Sequence, residues 1–99
     1  MFRHLYWVVE EGGDSAEFCV TGIYTSIHDL LETGIRWVHG GSKMRLSLVK
    51  VDHSGPPLGT WLSPDFAGLD ARLQEFVATQ EFSVSEILDL QEGLKKFFN

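Results

Sequence analysis

The chain has 99 residues, of which 43% are hydrophobic and 22% charged, and its formal net charge is −6. These proportions exclude a disordered chain, and the length predicts one α+β domain over residues 1–99. The acidic balance, with only eight Lys and Arg spread along the chain, argues against general binding to a nucleic-acid backbone.

The cellular compartment of the protein is predicted from three features of the sequence. No stretch approaches the ~20 apolar residues needed to cross a bilayer, and no basic segment followed by an apolar one indicates a secretory signal. The single cysteine, Cys19, fits a reducing compartment. We therefore expect a cytoplasmic protein without a membrane partner.

The first two elements are predicted to be strands joined in a hairpin. Residues 4–10 place Leu5, Trp7 and Val9 on one alternating face, while Tyr6 and Val8 make the other face apolar as well. This double pattern indicates a central strand or one that is covered on both sides. Turn residues follow at 11–15, and residues 17–21 then predict a second strand whose cysteine packs in the core.

A short helix is predicted over residues 25–34. Ser26 is suited to cap its first turn, with Asp29 three residues later as the capping-box acid. Gly34 can end the helix in a left-handed conformation.

A second hairpin is predicted from residues 35–39 and 43–51, which flank a glycine-rich turn. Apolar residues alternate with polar ones along the first part of the second strand. Val49 and Val51 break this pattern, because they place apolar side chains on the opposite face. That break predicts either burial on both faces or a bulge that resets the register.

Residues 55–66 join this strand to a helix. Pro56 and Pro57 stiffen the chain, and residues 59–62 predict a brief edge strand. Ser63 is then expected to cap a helix, with Pro64 in its first turn.

Two helices are predicted at the end of the chain, the first ending near residue 80 and the second beginning with the capping box Ser83–Glu86. The predicted fold is therefore α+β: a mainly antiparallel sheet of four to five strands in two hairpins, packed against a short helix and a C-terminal helical hairpin.

Patterns for catalysis and metal binding are weak in this sequence. The four histidines occur in no close ligand spacing, so no metal site, cofactor or catalytic residue is predicted. One alternative is a small-molecule pocket or minor enzyme between sheet and helices. Its polar members would be His28, Asp29, Asp52 and His53, which have to converge in space.

A second alternative is weak nucleic-acid binding through the 35–51 hairpin. Arg36, Lys43 and Arg45 are basic residues beside Trp37, which is the only local combination of a ring with basic groups. The acidic net charge makes this the lesser alternative.

Surplus aromatic residues favour a third class of function, association with a protein partner or with a second copy. Trp61 follows the rigid proline segment, and Phe97 and Phe98 are adjacent at the end of the last helix, so one helix face cannot accommodate both. We therefore predict a non-catalytic module that binds a protein partner or forms a homodimer. Its predicted contact residues are Trp61, Phe97 and Phe98.

Overall fold

The computed structural model describes residues 5–12, 17–35, 43–51 and 56–98. It confirms the α+β class, with a four-stranded sheet and helices packed on one of its faces. The elements in chain order are β1 (Leu5–Gly12), β2 (Phe18–Tyr24), α1 (Ile27–Asp29) continued by a π-helical turn (Leu30–Gly34), β3 (Lys43–Lys50), β4 (Gly59–Leu62), α2 (Leu69–Ala78) and α3 (Val84–Phe98).

The strands form one antiparallel sheet in the order β2-β1-β3-β4. Trp7 of β1 lies opposite Tyr24 of β2 and Leu48 of β3, which makes β1 a central strand as predicted. The register of β1 and β2 shifts at Thr21, an extra residue whose hydroxyl donates to the Val9 carbonyl at 3.2 Å. The bulge therefore lies in β2, and β3 pairs with β1 without interruption.

The core lies between one face of this sheet and the helices. Alternate sheet residues such as Trp7, Val9 and Leu46 are fully buried in a single cluster. That cluster also contains the apolar stripes of the helices, and Trp7 contacts the Phe82 ring at a centroid distance of 5.9 Å. All described helices thus pack on the same face of the sheet.

The partners of β3 differ from the prediction. Strand β3 pairs with β1 on one edge and with β4 on the other. Ile35 has helical dihedral angles (φ −71°, ψ −35°) and ends the π-helical turn. The helix therefore extends one residue into the predicted strand, and residues 36–42 lie outside the described part of the chain.

Two of the three predicted helix caps are confirmed. The Ser26 hydroxyl accepts the Asp29 N–H at 3.1 Å. Ser83 and Glu86 form a reciprocal capping box, with each backbone N–H donating to the other residue's side chain at 3.1–3.2 Å. These caps depend on contacts three residues apart, which a local pattern can predict.

The third cap, at Ser63, is a correction. Helix α2 begins at Leu69 after Gly68, whose φ of +84° is left-handed, and Phe66 also has a positive φ of 48°. Ser63 instead extends the pairing of β3: its hydroxyl accepts the Met44 N–H at 2.8 Å, and its N–H donates to the Met44 carbonyl at 2.9 Å. The Ser63 hydroxyl therefore binds the backbone of β3 and does not cap α2.

The predicted turn between the last two helices is formed by a left-handed residue. Gln80 has a φ of 64°, its N–H donates to the Val77 carbonyl, and the Glu81 N–H donates to Phe76 at 2.9 Å. These bonds make a Schellman motif, in which glycine is the usual left-handed residue. A side-chain bond from Gln91 to Asp70 at 2.9 Å also joins α3 to α2.

Candidate functional site

The sheet has a second face that no described helix covers, and we call it the open face. Its apolar residues alternate with the core residues along each strand, and none belongs to the core cluster. Val20 and Ile23 are among its most accessible residues, with 59% and 61% of their surface exposed. The open face consists of Tyr6, Val8, Glu10, Phe18, Val20, Ile23, Lys43, Arg45, Ser47, Val49, Thr60 and Leu62.

A charged pair lies at the centre of the open face. Glu10 and Arg45 are directly opposite in the β1–β3 register, and the guanidinium donates to both carboxylate oxygens, from Nε at 3.0 Å and from the terminal nitrogen at 2.6 Å. The hydrogen bond to Glu10 raises the pKa of Arg45 above its ordinary value. The guanidinium also lies 4.4 Å from the centre of the Phe18 ring. The pair therefore satisfies its own charges within one chain.

Apolar side chains flank this pair on both sides. The register places Val20 of β2 beside Glu10 and Leu62 of β4 beside Arg45, so the row across the sheet is apolar, acidic, basic and apolar. In the neighbouring row, the hydroxyls of Ser47 and Thr60 contact each other at 3.2 Å. Among the described residues, every buried side-chain polar atom has a hydrogen-bond partner. The open face therefore offers apolar area and no unpaired buried polar group.

Charge is distributed unequally between the two sides of the molecule. Residues 27–35 and 63–98, which form the helices and their connections, contain nine acidic side chains against three basic ones. The acidic residues are Asp29, Glu32, Asp65, Asp70, Glu75, Glu81, Glu86, Asp89 and Glu92, and the basic ones are Arg72, Lys95 and Lys96. The described charged residues of the open face are Glu10, Arg45 and, at the end of β3, Lys43. The negative charge is thus concentrated on the helical side.

The three predicted contact residues have separate locations. Trp61 is only 6% exposed and packs against Trp7 with ring centroids 6.3 Å apart, so the structure places it in the core and not on a contact surface. Phe98 is half-buried and meets the Phe66 ring edge-on at 5.2 Å. Phe97 is 42% exposed. Of the three, Phe97 alone presents a large accessible ring.

The predicted pocket residues are not brought together by the described structure. His28 is exposed at a groove of about 460 Å³ between α1 and α3, and its Nε2 lies 3.2 Å from Glu32 in the same helical segment. Asp29 does not line that groove. Asp52 and His53 lie outside the described residues. Convergence of the four remains a prediction.

The nucleic-acid alternative depends on basic residues, one of which is engaged elsewhere. Arg45 is neutralised by Glu10, and Lys43 is exposed. Arg36 and Trp37 lie outside the described residues.

Cys19, expected in the core, is exposed on β2 because that strand forms one edge of the sheet.

Residues 5–12, 17–35, 43–51 and 56–98 contain neither a metal-ligand cluster nor a membrane-spanning helix. Within those ranges, no three His, Cys, Asp or Glu side chains are grouped as a metal would require. None of the helices described there combines the length and apolar character that a membrane span needs.

Comparison with protein-family models, curated proteins and solved structures finds no match to this chain.

The sequence contains a signal for the open face. Tyr6 and Val8 make the second face of β1 apolar, and Val49 does the same in β3. Such a pattern predicts cover on both faces or, in β3, a bulge. The structure shows these side chains half-buried among their neighbours on a face that no described helix covers.

Proposed function

We propose that this protein is a non-catalytic association module that binds another protein through the open face. The observation that carries the proposal is the exposure of Val20, Ile23 and Leu62 on a sheet face that no described helix covers. Large exposed apolar patches that polar residues border often mark association surfaces. Covering these side chains removes their apolar area from water, which favours binding.

The shape of the open face supports a protein partner over a small molecule. Small molecules bind in concave sites that enclose most of their surface. The two grooves of about 360 and 460 Å³ are lined by residues of the helices and their connections, and neither includes an open-face residue. A four-stranded sheet face is instead broad and shallow, and another protein surface of similar extent can cover it.

The two alternatives have less support. The groove beside His28 favours a small molecule, but Asp29 does not contribute to its wall. Nucleic-acid binding would need free basic groups, whereas Arg45 is held by Glu10.

The proposal also retains a reducing, cytoplasmic location, which the unpaired and exposed Cys19 supports.

Site-specific photo-crosslinking in cells that produce the protein tests the proposal. A benzophenone amino acid is placed at Ile23 on the open face or, as the matched control, at Leu88, which is 51% exposed on α3. We expect irradiation to yield a protein adduct from position 23 and much less from position 88. Adducts from position 88 alone, or no protein adduct from position 23, would contradict the proposal.

A further inference from the structure

We infer that the partner on the open face is a second copy of this chain, bound face to face about a two-fold axis. The inference rests on the proposed function and adds the identity of the partner. Closed two-fold dimers are the commonest oligomers of soluble proteins, and they bury the same patch of both copies.

Charge selects the open face over the other sides of the molecule for self-association. Each copy carries a net charge of −6, and the helices together with their connections hold nine of the 14 acidic residues. Two copies that met through their helices would bring like charges together. Contact through the open face brings together surfaces on which Glu10 and Arg45 neutralise each other, and it leaves both acidic sides pointing outward.

The central ion pair is compatible with burial between two copies. A buried charge is costly when it has no partner, but Glu10 and Arg45 are already joined by two hydrogen bonds within one chain. Neither residue needs a charge from the partner surface. A highly charged partner would lose hydration at this face without gaining a free counter-charge from the central pair. A second open face, which is apolar around its own paired charges, suits it better.

The surrounding side chains suit the packing of one sheet on another. Val8, Val20 and Ile23 on one side of the ion pair and Leu62 on the other are aliphatic. Side chains of this kind interdigitate when two sheets pack face to face about 10 Å apart. In a two-fold dimer, the same residues of both copies would form this layer.

The area of the open face sets the expected affinity. Four strands with ordinary spacing and about six residues each span roughly 20 Å by 20 Å. Two such faces together cover roughly 800 Å², slightly below the ~1,000 Å² at which specific interfaces begin, so the contact is expected to be weak. We therefore expect a reversible dimer with a dissociation constant in the micromolar range.

Sedimentation velocity of the full chain, from about 1 µM to about 500 µM, tests the inference. We expect the wild type to change from monomer to dimer across this range. Ile23→Glu should weaken dimerisation at least ~100-fold, because it places a charge within the apolar layer. Val20→Lys should weaken it as well, although it lowers the net negative charge. Leu88→Glu on α3 should leave the dimer unchanged.

The two open-face variants separate loss of the interface from repulsion or misfolding. If added negative charge were the only cause, Ile23→Glu would weaken the dimer while Val20→Lys would strengthen it, and the inference would be overturned. Circular dichroism and thermal unfolding identify variants that remain folded, and a folded Val20→Lys is sufficient for the test even if Ile23→Glu unfolds, because its added positive charge opposes the repulsion. Dimerisation abolished by Leu88→Glu but not by the open-face variants would also overturn it.

Failure of this inference can be distinguished from failure of the proposed function. A wild type that stays monomeric throughout the range overturns the second copy as partner. In that case, a photo-crosslink from position 23 to a different protein would still support association through the open face. An adduct with twice the mass of the chain supports the second copy.

Discussion

Arg45 binds both carboxylate oxygens of Glu10 across the two central strands, although 35 residues separate them in sequence. This pair lies in the middle of an apolar row and beneath no described helix. It makes the centre of the open face electrically neutral in a protein of net charge −6. The same bonds hold β1 to β3, so the pair contributes to both the fold and the proposed interface.

Replacing Glu10 with Gln should affect association more than folding. We expect the free energy of unfolding to fall by about 1 kcal/mol, because Gln keeps an acceptor oxygen and the pair is partly exposed. Dimerisation should weaken at least tenfold, because the guanidinium of Arg45 would be buried without its carboxylate. Urea unfolding and sedimentation velocity measure the two effects.

The matched control for this change is Glu75→Gln. Glu75 pairs with Arg72, which also lies over a ring, 4.7 Å from the centre of Phe76, but on α2. The control should leave dimerisation unchanged. Equal weakening by Glu10→Gln and Glu75→Gln would show that the central pair has no special place in the interface.

Truncating Trp61 should destabilise the fold. Trp61 is buried against Trp7, so Trp61→Ala leaves a cavity and should lower the free energy of unfolding by about 3–5 kcal/mol. Phe97→Ala, at an exposed position, should change it by less than about 1 kcal/mol. Thermal and urea unfolding check both values. A loss below about 1 kcal/mol for Trp61→Ala would contradict its place in the core.

Gln80→Gly should stabilise the protein. Gln80 has a left-handed conformation that glycine adopts without steric cost, so we expect a gain of up to about 1 kcal/mol. The same substitution at Gln74, inside α2, should instead cost about 1 kcal/mol, because glycine is a poor residue for a helix interior. Urea unfolding compares the two variants. Destabilisation by Gln80→Gly would contradict the Schellman motif after α2.

Salt should strengthen the dimer. Two copies of net charge −6 repel each other, and the central ion pair is internal to each chain. Raising NaCl from about 0.05 M to about 0.5 M shortens the screening length from about 14 Å to about 4 Å. We expect the dissociation constant from sedimentation to fall several-fold. A dissociation constant that rises with salt would indicate that opposite charges on the two copies hold the dimer together.

The sequence predicted those features of the fold that depend on neighbouring residues. The capping box Ser83–Glu86, the Ser26 cap and the edge strand at 59–62 are encoded within a few positions. Ser63 had the same local signal for a helix start. Ser63 does not begin a helix, because its hydroxyl accepts a hydrogen bond from the N–H of Met44, 19 residues away.

The open face could be predicted only in part. Alternation along β1 and β3 indicated two apolar faces, but periodicity cannot show whether a second layer covers them. The pairing of Glu10 with Arg45 depends on strand order, which the sequence does not reveal. Trp61 shows the converse: an aromatic residue beside prolines on an edge strand suggested exposure, yet its indole packs inward against Trp7.

Methyl NMR with a soluble paramagnetic agent tests the central claim most directly. Val20 and Ile23 on the open face are 59% and 61% exposed, and Val84 and Leu88 on α3 are similarly exposed at 61% and 51%. The two sets should relax equally in dilute samples. At high concentration, we expect the methyl groups of Val20 and Ile23 to be protected while those of Val84 and Leu88 remain accessible. Equal relaxation of both sets at every concentration would contradict self-association through the open face.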